Sequence, residues 1–291
     1  STTSTTPKEC QATYLLIGAG TAGMSFIDAL LTLDASATVI LVDRNTQPGG
    51  HWTHSYPFVQ LHQTGCNYGV NSLPLAHVSN VKYHNKTKKN GSGFIKKEKF
   101  DKNDRATGME IVEYYKKVAK HFEECGRVQM FFNSEYSSST TDDDDDKKES
   151  HVITNITTRE VTKVSCTKIV KVYNNVIVPS MRDGPPFPVH SNINFVPVND
   201  LPTNIIQSSS KQCTNYIVIG CGKTGCDAIT YLLRNKKIDP NNITWIISRD
   251  VWYLLRDGVW PSNGTKGYQN FRKESANLIE PLVMENVNTA Q

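Results

Sequence analysis

Tyr14-Leu15-Leu16-Ile17-Gly18-Ala19-Gly20-Thr21-Ala22-Gly23 decides the fold. An apolar run of strand length meets three glycines spaced G-x-G-x-x-G. Met24, Phe26, Ile27, Ala29, Leu30 and Leu31 follow at helical spacing, and Thr38-Val39-Ile40-Leu41-Val42 reads as a second buried strand ending on Asp43. Strand, glycine turn, helix, strand and acid together form a dinucleotide fingerprint. The first glycine permits the tight turn, the second lets backbone approach a pyrophosphate, and the third lets helix and strand pack closely. The helix N-terminus adds free N–H groups and a partial positive charge. Asp43 falls about 20 residues after Gly23, where an acid that accepts from a ribose hydroxyl is expected. The competing reading is a glycine turn needed only for packing.

The fingerprint repeats. Tyr216-Ile217-Val218-Ile219 leads into Gly220-Cys221-Gly222-Lys223-Thr224-Gly225, a helix is expected from Cys226 to Leu233, and Ile243-Thr244-Trp245-Ile246-Ile247 ends on Ser248-Arg249. The second copy carries Arg where the first carries Asp. A carboxylate accepts from a free 2′-hydroxyl, whereas a guanidinium suits a 2′-phosphate. The first turn is therefore expected to prefer FAD or NAD, and the second NADP(H). Lys223 beside the second turn supports an anion there; a surface salt bridge is the alternative for Arg249.

Between the fingerprints, Arg44 leads to Pro48-Gly49-Gly50-His51-Trp52, a turn whose bare backbone suits close approach to the first nucleotide. Residues 53–75 are rich in His, Gln, Asn, Tyr and Gly without helical period; they read equally as a cofactor-lining loop or an ordinary ordered one. Thr107-Gly108-Met109-Glu110 fits a capping box, Ile111, Val112, Tyr115, Val118, Ala119 and Phe122 mark one helix face, and Gly126 suits its stop. Residues 127–132 read as a strand. The apolar–polar alternation of 151–178 reads as a β-meander returning to the main sheet. The Lys-rich stretch 82–102 reads as a solvated loop and the acidic run 142–146 as a hairpin tip. Proline-rich residues 179–202 read as an extended linker.

The 291 residues suffice for one large domain or two smaller ones. A net charge of +4 does not by itself imply a nucleic-acid partner, and no apolar run approaches the ~20 residues that span a bilayer. Seven cysteines, odd in number and without CxxC, argue against a disulfide scaffold and for a reducing compartment, with the cytoplasm as the expected location. Cys221 and Cys226 read as structural thiols in preference to a redox pair. His51, His54 and His62 lack companions for a metal site. The chain begins without Met, so processing or trimming is expected.

On Gly18 to Gly23, Asp43, Gly49-Gly50-His51-Trp52 and Gly220 to Gly225, the chain resembles the flavin-containing monooxygenase-like FAD/NAD(P)-dependent oxidoreductases. Tyr56-Pro57 is similar to the Baeyer–Villiger branch. The resemblance covers most of 12–260 and implies an α/β fold of two Rossmann-like dinucleotide-binding domains with a β-meander. The FAD-binding domain would span 11–205, with a Lys-rich insertion at 82–102 and an Asp-rich loop at 137–150; the NADP-binding domain would span 206–291. FAD would be held by Gly18, Gly20, Thr21, Ala22, Gly23, Asp43, Arg44, Gly50, His51 and Trp52. NADP(H) would be held by Gly220, Gly222, Lys223, Thr224, Gly225, Ser248 and Arg249. His62, Gln63 and Asn67 are candidates for the flavin edge, and no general base is recognisable.

The resemblance implies hydride delivery from NADPH to FAD and oxygenation of a small organic substrate. The family's F-x-G-x-x-x-H signature is absent, with Phe187-Pro188-Val189-His190 in its region, and Phe58 replaces the glycine of Tyr-Pro-Gly. Residues 61–75 are similar to an uncharacterised branch. Family members return to the FAD domain after the NADP domain, and no such segment is recognisable before Gln291. The resemblance thus reads the chain as a natural short form, a C-terminally truncated fragment or one piece of a split protein, with an oligomer or a partner chain as a source of the missing segment. The alternatives are an NADPH oxidase releasing peroxide and a non-catalytic nucleotide sensor.

Overall fold

The computed structural model describes residues 7–63, 65, 68–75, 105–140, 149–173, 184–185, 187–207 and 215–248. Asn67, Arg249, the Lys-rich stretch 82–102, the acidic run 142–146 and the apolar run 176–178 lie outside them. Two sheets carry the fold. The larger has six strands in the order β3-β2-β1-β6-β5-β4, comprising β1 (Lys8–Ile17), β2 (Val39–Val42), β3 (Val128–Phe131), β4 (Ser134–Thr140), β5 (Glu149–Asn155) and β6 (Val161–Lys171). β3, β2, β1 and β6 run parallel, whereas β4, β5 and β6 are an antiparallel meander. The smaller sheet pairs β7 (Tyr216–Ile219) with β8 (Ile243–Ile246) in parallel.

This is an α/β fold of Rossmann-like strand–turn–helix–strand units with a meander, as the sequence implies. The structure differs at β1 and β6. The apolar run begins at Tyr14, yet β1 starts at Lys8, because its polar first half pairs with β6 from Lys8↔Thr162 to Ala12↔Cys166. The apolar pieces around Val161, Val164 and Ile169 join in one long β6. That strand closes the meander at its start and extends the parallel sheet along its whole length.

α1 (Thr21–Leu33) and α2 (Gly108–Glu124) cover one face of the larger sheet. Period-2 alternation sends Leu16, Val39 and Leu41 to that face. They meet Met24 and Ile27 of α1 and Ile111, Tyr115, Val118 and Phe122 of α2. Leu15, Ile40 and Val42 point the other way and meet Ala12, Ile153 and Val164. α2 starts where its capping box was read: Thr107 Oγ1 accepts from Glu110 N at 3.3 Å, and the Glu110 carboxylate accepts from Thr107 N at 2.8 Å. Gly126, at φ 71°, ends it. β4 and β5 pair out to Thr140↔Glu149. In the smaller sheet, α4 (Lys223–Thr230) passes into a π-turn (Tyr231–Asn235), where the sequence suggested one helix to Leu233. α3 (Leu201–Gln207) lies between the two sheets in sequence.

Candidate dinucleotide sites

The two glycine turns have the same geometry. Each follows the end of a parallel strand. Gly18 has φ 113° and Gly220 φ 111°, a region open to glycine and strained for other residues. Gly18 N donates to Val42 O at 2.9 Å, and Gly220 N donates to Ile246 O at 2.9 Å. The helix N-caps match as well: Gly20 lies at φ −80°, ψ −176° and Gly222 at φ −74°, ψ 175°. No side chain caps either helix, so neither glycine turn spends its first amides on a capping residue. A Cβ at Gly23 would stand 2.0 Å from Gly18 O, and one at Gly225 2.3 Å from Gly220 O. The third glycine of each copy is therefore required for close helix–strand packing.

At the first turn, Asp43 follows β2. Its Oδ2 accepts from Ala19 N at 2.6 Å and its Oδ1 from Asn45 N at 2.7 Å. The acid thus pins the turn's own backbone, and each oxygen keeps a second lone pair for an incoming hydroxyl. Gly49 N donates to Ala19 O at 3.0 Å, and a Cβ on Gly50 would lie 2.8 Å from Gly20 Cα. The Gly49-Gly50 loop therefore sits backbone against backbone on the first turn, as a narrow anion cradle requires. Arg44 points elsewhere: it faces Glu135 at 3.8 Å, both exposed, a pair of small energetic weight.

Thr21, the first residue of α1, enters a ring of hydroxyls. Thr21 Oγ1 and Tyr68 Oη are 3.0 Å apart, Tyr115 Oη lies 3.0 Å from Thr21 Oγ1 and 3.1 Å from Tyr68 Oη, and Trp52 Nε1 donates to Tyr68 Oη at 2.8 Å. This knot fixes Trp52 and loop 68–75 beside the turn. The loop is also held by Asp28, whose buried carboxylate accepts from the Ser72 amide at 3.1 Å and from the Ser72 hydroxyl. Burial raises the pKa of Tyr115 strongly and pushes that of Tyr114 up to about 12. His51 lies tilted against Trp52, with ring centroids 4.9 Å apart and the planes at 32°. Its outer edge meets solvent, but desolvation of the rest of the ring lowers its pKa. Ala22 and His62 are exposed and Gln63 is half-buried.

At the second turn, Gly220 and Gly222 face open space, with nothing within 4 Å of a Cβ built on either. Trp245 Nε1 donates to Gly220 O at 2.8 Å, and Ser248 is exposed just past β8. Lys223 is turned onto its own helix, forming an ion pair with Asp227. Tyr56 Oη, from the loop behind the first turn, donates to Asp227 Oδ2 at 2.7 Å and lies 3.5 Å from Lys223 Nζ. Burial, with the Asp227 charge, raises the Tyr56 pKa strongly. Phe58 stacks on Tyr231 at 4.2 Å and 14°. These contacts form a seam joining the loop that follows the first turn to the helix that follows the second.

The sequence reading missed Asp227 and Asp28. Lys223 and Asp227 stand four residues apart on a helix, a visible charge-pair spacing. The Tyr56–Asp227 contact bridges distant parts of the chain and has no local signal.

No family model matches the chain. Uncharacterized proteins of Mycobacterium tuberculosis and Mycobacterium bovis are 34% identical over 278 residues, covering 94% of this chain and 45% of theirs. The chain thus spans about half the length of the curated relatives it matches. Among solved structures, a flavin-containing monooxygenase from Stenotrophomonas maltophilia has a TM-score of 0.48 at 11% identity, covering 84% of this chain and 60% of that one. A bacillithiol disulfide reductase from Staphylococcus aureus has 0.47 at 13%, covering 92% and 64%. A closed cyclohexanone monooxygenase has 0.42 at 21%, covering 78% and 36%. With these TM-scores below 0.5, the fold assignment rests on the chain's own strand order and glycine turns. Among the described residues, no helix is long and apolar enough to cross a membrane.

Proposed function

We propose that this chain is the nucleotide-binding part of an FAD-dependent oxidoreductase reduced by NADPH, monooxygenase-like in type and acting on a small organic substrate. The observation that carries the reading is the repeated turn. Two uncapped helix N-termini with matching glycine geometry occur in one polypeptide, joined by a seam of side chains. The fit to two dinucleotides rests on the turns: a Cβ at Gly23 or Gly225 would strike the backbone oxygen of its turn's first glycine, one at Gly50 would strike Gly20, and nothing lies within 4 Å of a Cβ at Gly222. A bound flavin supplies reversible electron storage between a nicotinamide and oxygen.

Gly18, Gly20, Gly23 and Gly50 offer bare backbone to the FAD pyrophosphate, Asp43 accepts from its ribose, and Trp52, fixed by Tyr68, walls the site. Gly220, Gly222, Gly225, Lys223, Thr224 and Ser248 serve NADP(H), with Arg249 on the 2′-phosphate. The division at 11–205 and 206–291 follows from this assignment, and a reducing, cytoplasmic setting suits Cys10 and Cys125, which stand outside any disulfide.

The test is anaerobic titration of the purified, flavin-loaded protein with NADPH, followed by the flavin's visible absorbance. Bleaching is expected, faster with NADPH than with NADH. Binding of both nucleotides without bleaching would make the protein a sensor. A preference for NADH that survives Arg249→Ala would remove Arg249 from the phosphate. In air, oxygen use matched by product marks a monooxygenase, and peroxide release under every condition marks an oxidase.

A further inference from the structure

We infer that Asp227 is a positioning residue that sets nucleotide affinity at the second turn by withholding Lys223, and that Tyr56 holds Asp227 in place across the seam. The inference rests on the reading of the second turn as a nucleotide site.

Lys223 is the first residue of α4, directly after the open N-cap Gly222. An ammonium on a flexible four-carbon stem at that position serves an anion at the helix N-terminus. In the structure the ammonium points back along the helix to Asp227. The pair is partly screened from solvent, the side chains being 33% and 25% exposed. Asp227 is itself fixed: Tyr56 is 5% exposed and donates to Asp227 Oδ2 at 2.7 Å. Lys223 Nζ also lies 5.8 Å from the centre of the Tyr56 ring, within cation–π reach.

The ammonium therefore has two alternative anions, the Asp227 carboxylate and a pyrophosphate at the open turn. Every pyrophosphate bound must draw Lys223 away from Asp227 and Tyr56. That competition lowers affinity, and it disappears when the carboxylate becomes an amide. Pyrophosphate is common to NAD⁺ and NADP⁺, so the gain on removing the charge must be equal for the two. This separates Asp227 from Arg249, whose proposed partner is the 2′-phosphate alone.

The experiment measures dissociation constants for NAD⁺ and NADP⁺ in the whole chain by calorimetry, for wild type, Asp227→Asn, Lys223→Met and the double variant. Asparagine keeps an oxygen that accepts from Tyr56, so the seam hydrogen bond survives while the charge is lost. Asp227→Asn should tighten both nucleotides by a similar factor, about fivefold, the scale of a partly exposed ion pair. In the Lys223→Met background the same substitution should have at most a small effect, because there is no ammonium to release. A merely structural Asp227 would instead weaken both nucleotides, in either background. Unchanged or weaker binding in Asp227→Asn, or an equal gain with and without Lys223, overturns the inference while leaving the site intact. Failure of the wild type and all variants to bind either nucleotide overturns the site and the inference together.

Discussion

At the scale of single residues, the buried phenols report how tightly the first site is closed. Tyr56 and Tyr115 are raised strongly above their ordinary value, first by burial, and Tyr114 is pushed up to about 12 for the same reason. An unfolded tyrosine releases its proton near pH 10. Above that pH the unfolded chain binds fewer protons than the native one, so stability falls as pH rises. The contribution is fully present below about pH 10 and is lost toward each folded value, at about 1.4 kcal/mol per pH unit for each phenol still protonated. A jump to pH 11 followed by tyrosinate absorbance should show a fast phase from exposed tyrosines. A slow phase should follow at the rate of unfolding. Simultaneous ionisation of every tyrosine would mean that the hydroxyl ring around Thr21 is open to solvent.

At the scale of elements, the third glycine of each turn sets the distance between strand and helix. In Gly23→Ala the new methyl would fall 2.0 Å from Gly18 O, a backbone atom that cannot step aside without moving the turn. Overpacking of this kind costs about 1–3 kcal/mol. Gly23→Ala should lower the melting temperature and weaken flavin retention, whereas Gly126→Ala, with no neighbour within 4 Å, should spare retention even though its φ of 71° carries some strain. Equal loss of flavin in both would remove the close-packing argument. The elements that were legible in sequence share one property: their signals are local. Glycine spacing, the Thr107–Glu110 box and the apolar faces of α1 and α2 each lie within a few turns of chain. β1 was half-hidden because Lys8 to Thr13 hold no apolar residue larger than Cys10 and Ala12 and become strand by pairing with β6. The anchoring of loop 68–75 by Asp28, and the knot of Thr21, Trp52, Tyr68 and Tyr115, join side chains far apart in sequence. No pattern in the sequence announces such pairs, although each of the four knot residues lay inside a stretch already read as structured or site-lining.

At the scale of the whole molecule, the two sheets share no strand among the described residues. Among the described residues, side chains join the two parts at Tyr56 on Asp227 and Lys223 and at Phe58 on Tyr231. The sheets also differ in how well each is covered. Leu15, Leu16, Ile40 and Leu41 of the larger are fully buried, whereas Ile217, Ile219 and Ile246 of the smaller are 62%, 57% and 48% exposed. Among the described residues the smaller sheet has little apolar burial of its own, so the seam should govern its opening. Phe58→Ala removes a stacked pair worth about 0.5–1.5 kcal/mol beyond its buried area. Amide hydrogen exchange should then quicken through β7, α4 and β8 by about three- to tenfold, while β1 and β2 keep wild-type protection. The selectivity follows from topology: among the described residues no backbone ladder links the sheets, so loosening the seam releases the smaller without unpairing the larger. Equal acceleration in both sheets would show one cooperative unit, in which the seam is only a part of a common core. Protection unchanged in both would mean that Tyr56 and Asp227 alone carry the joint.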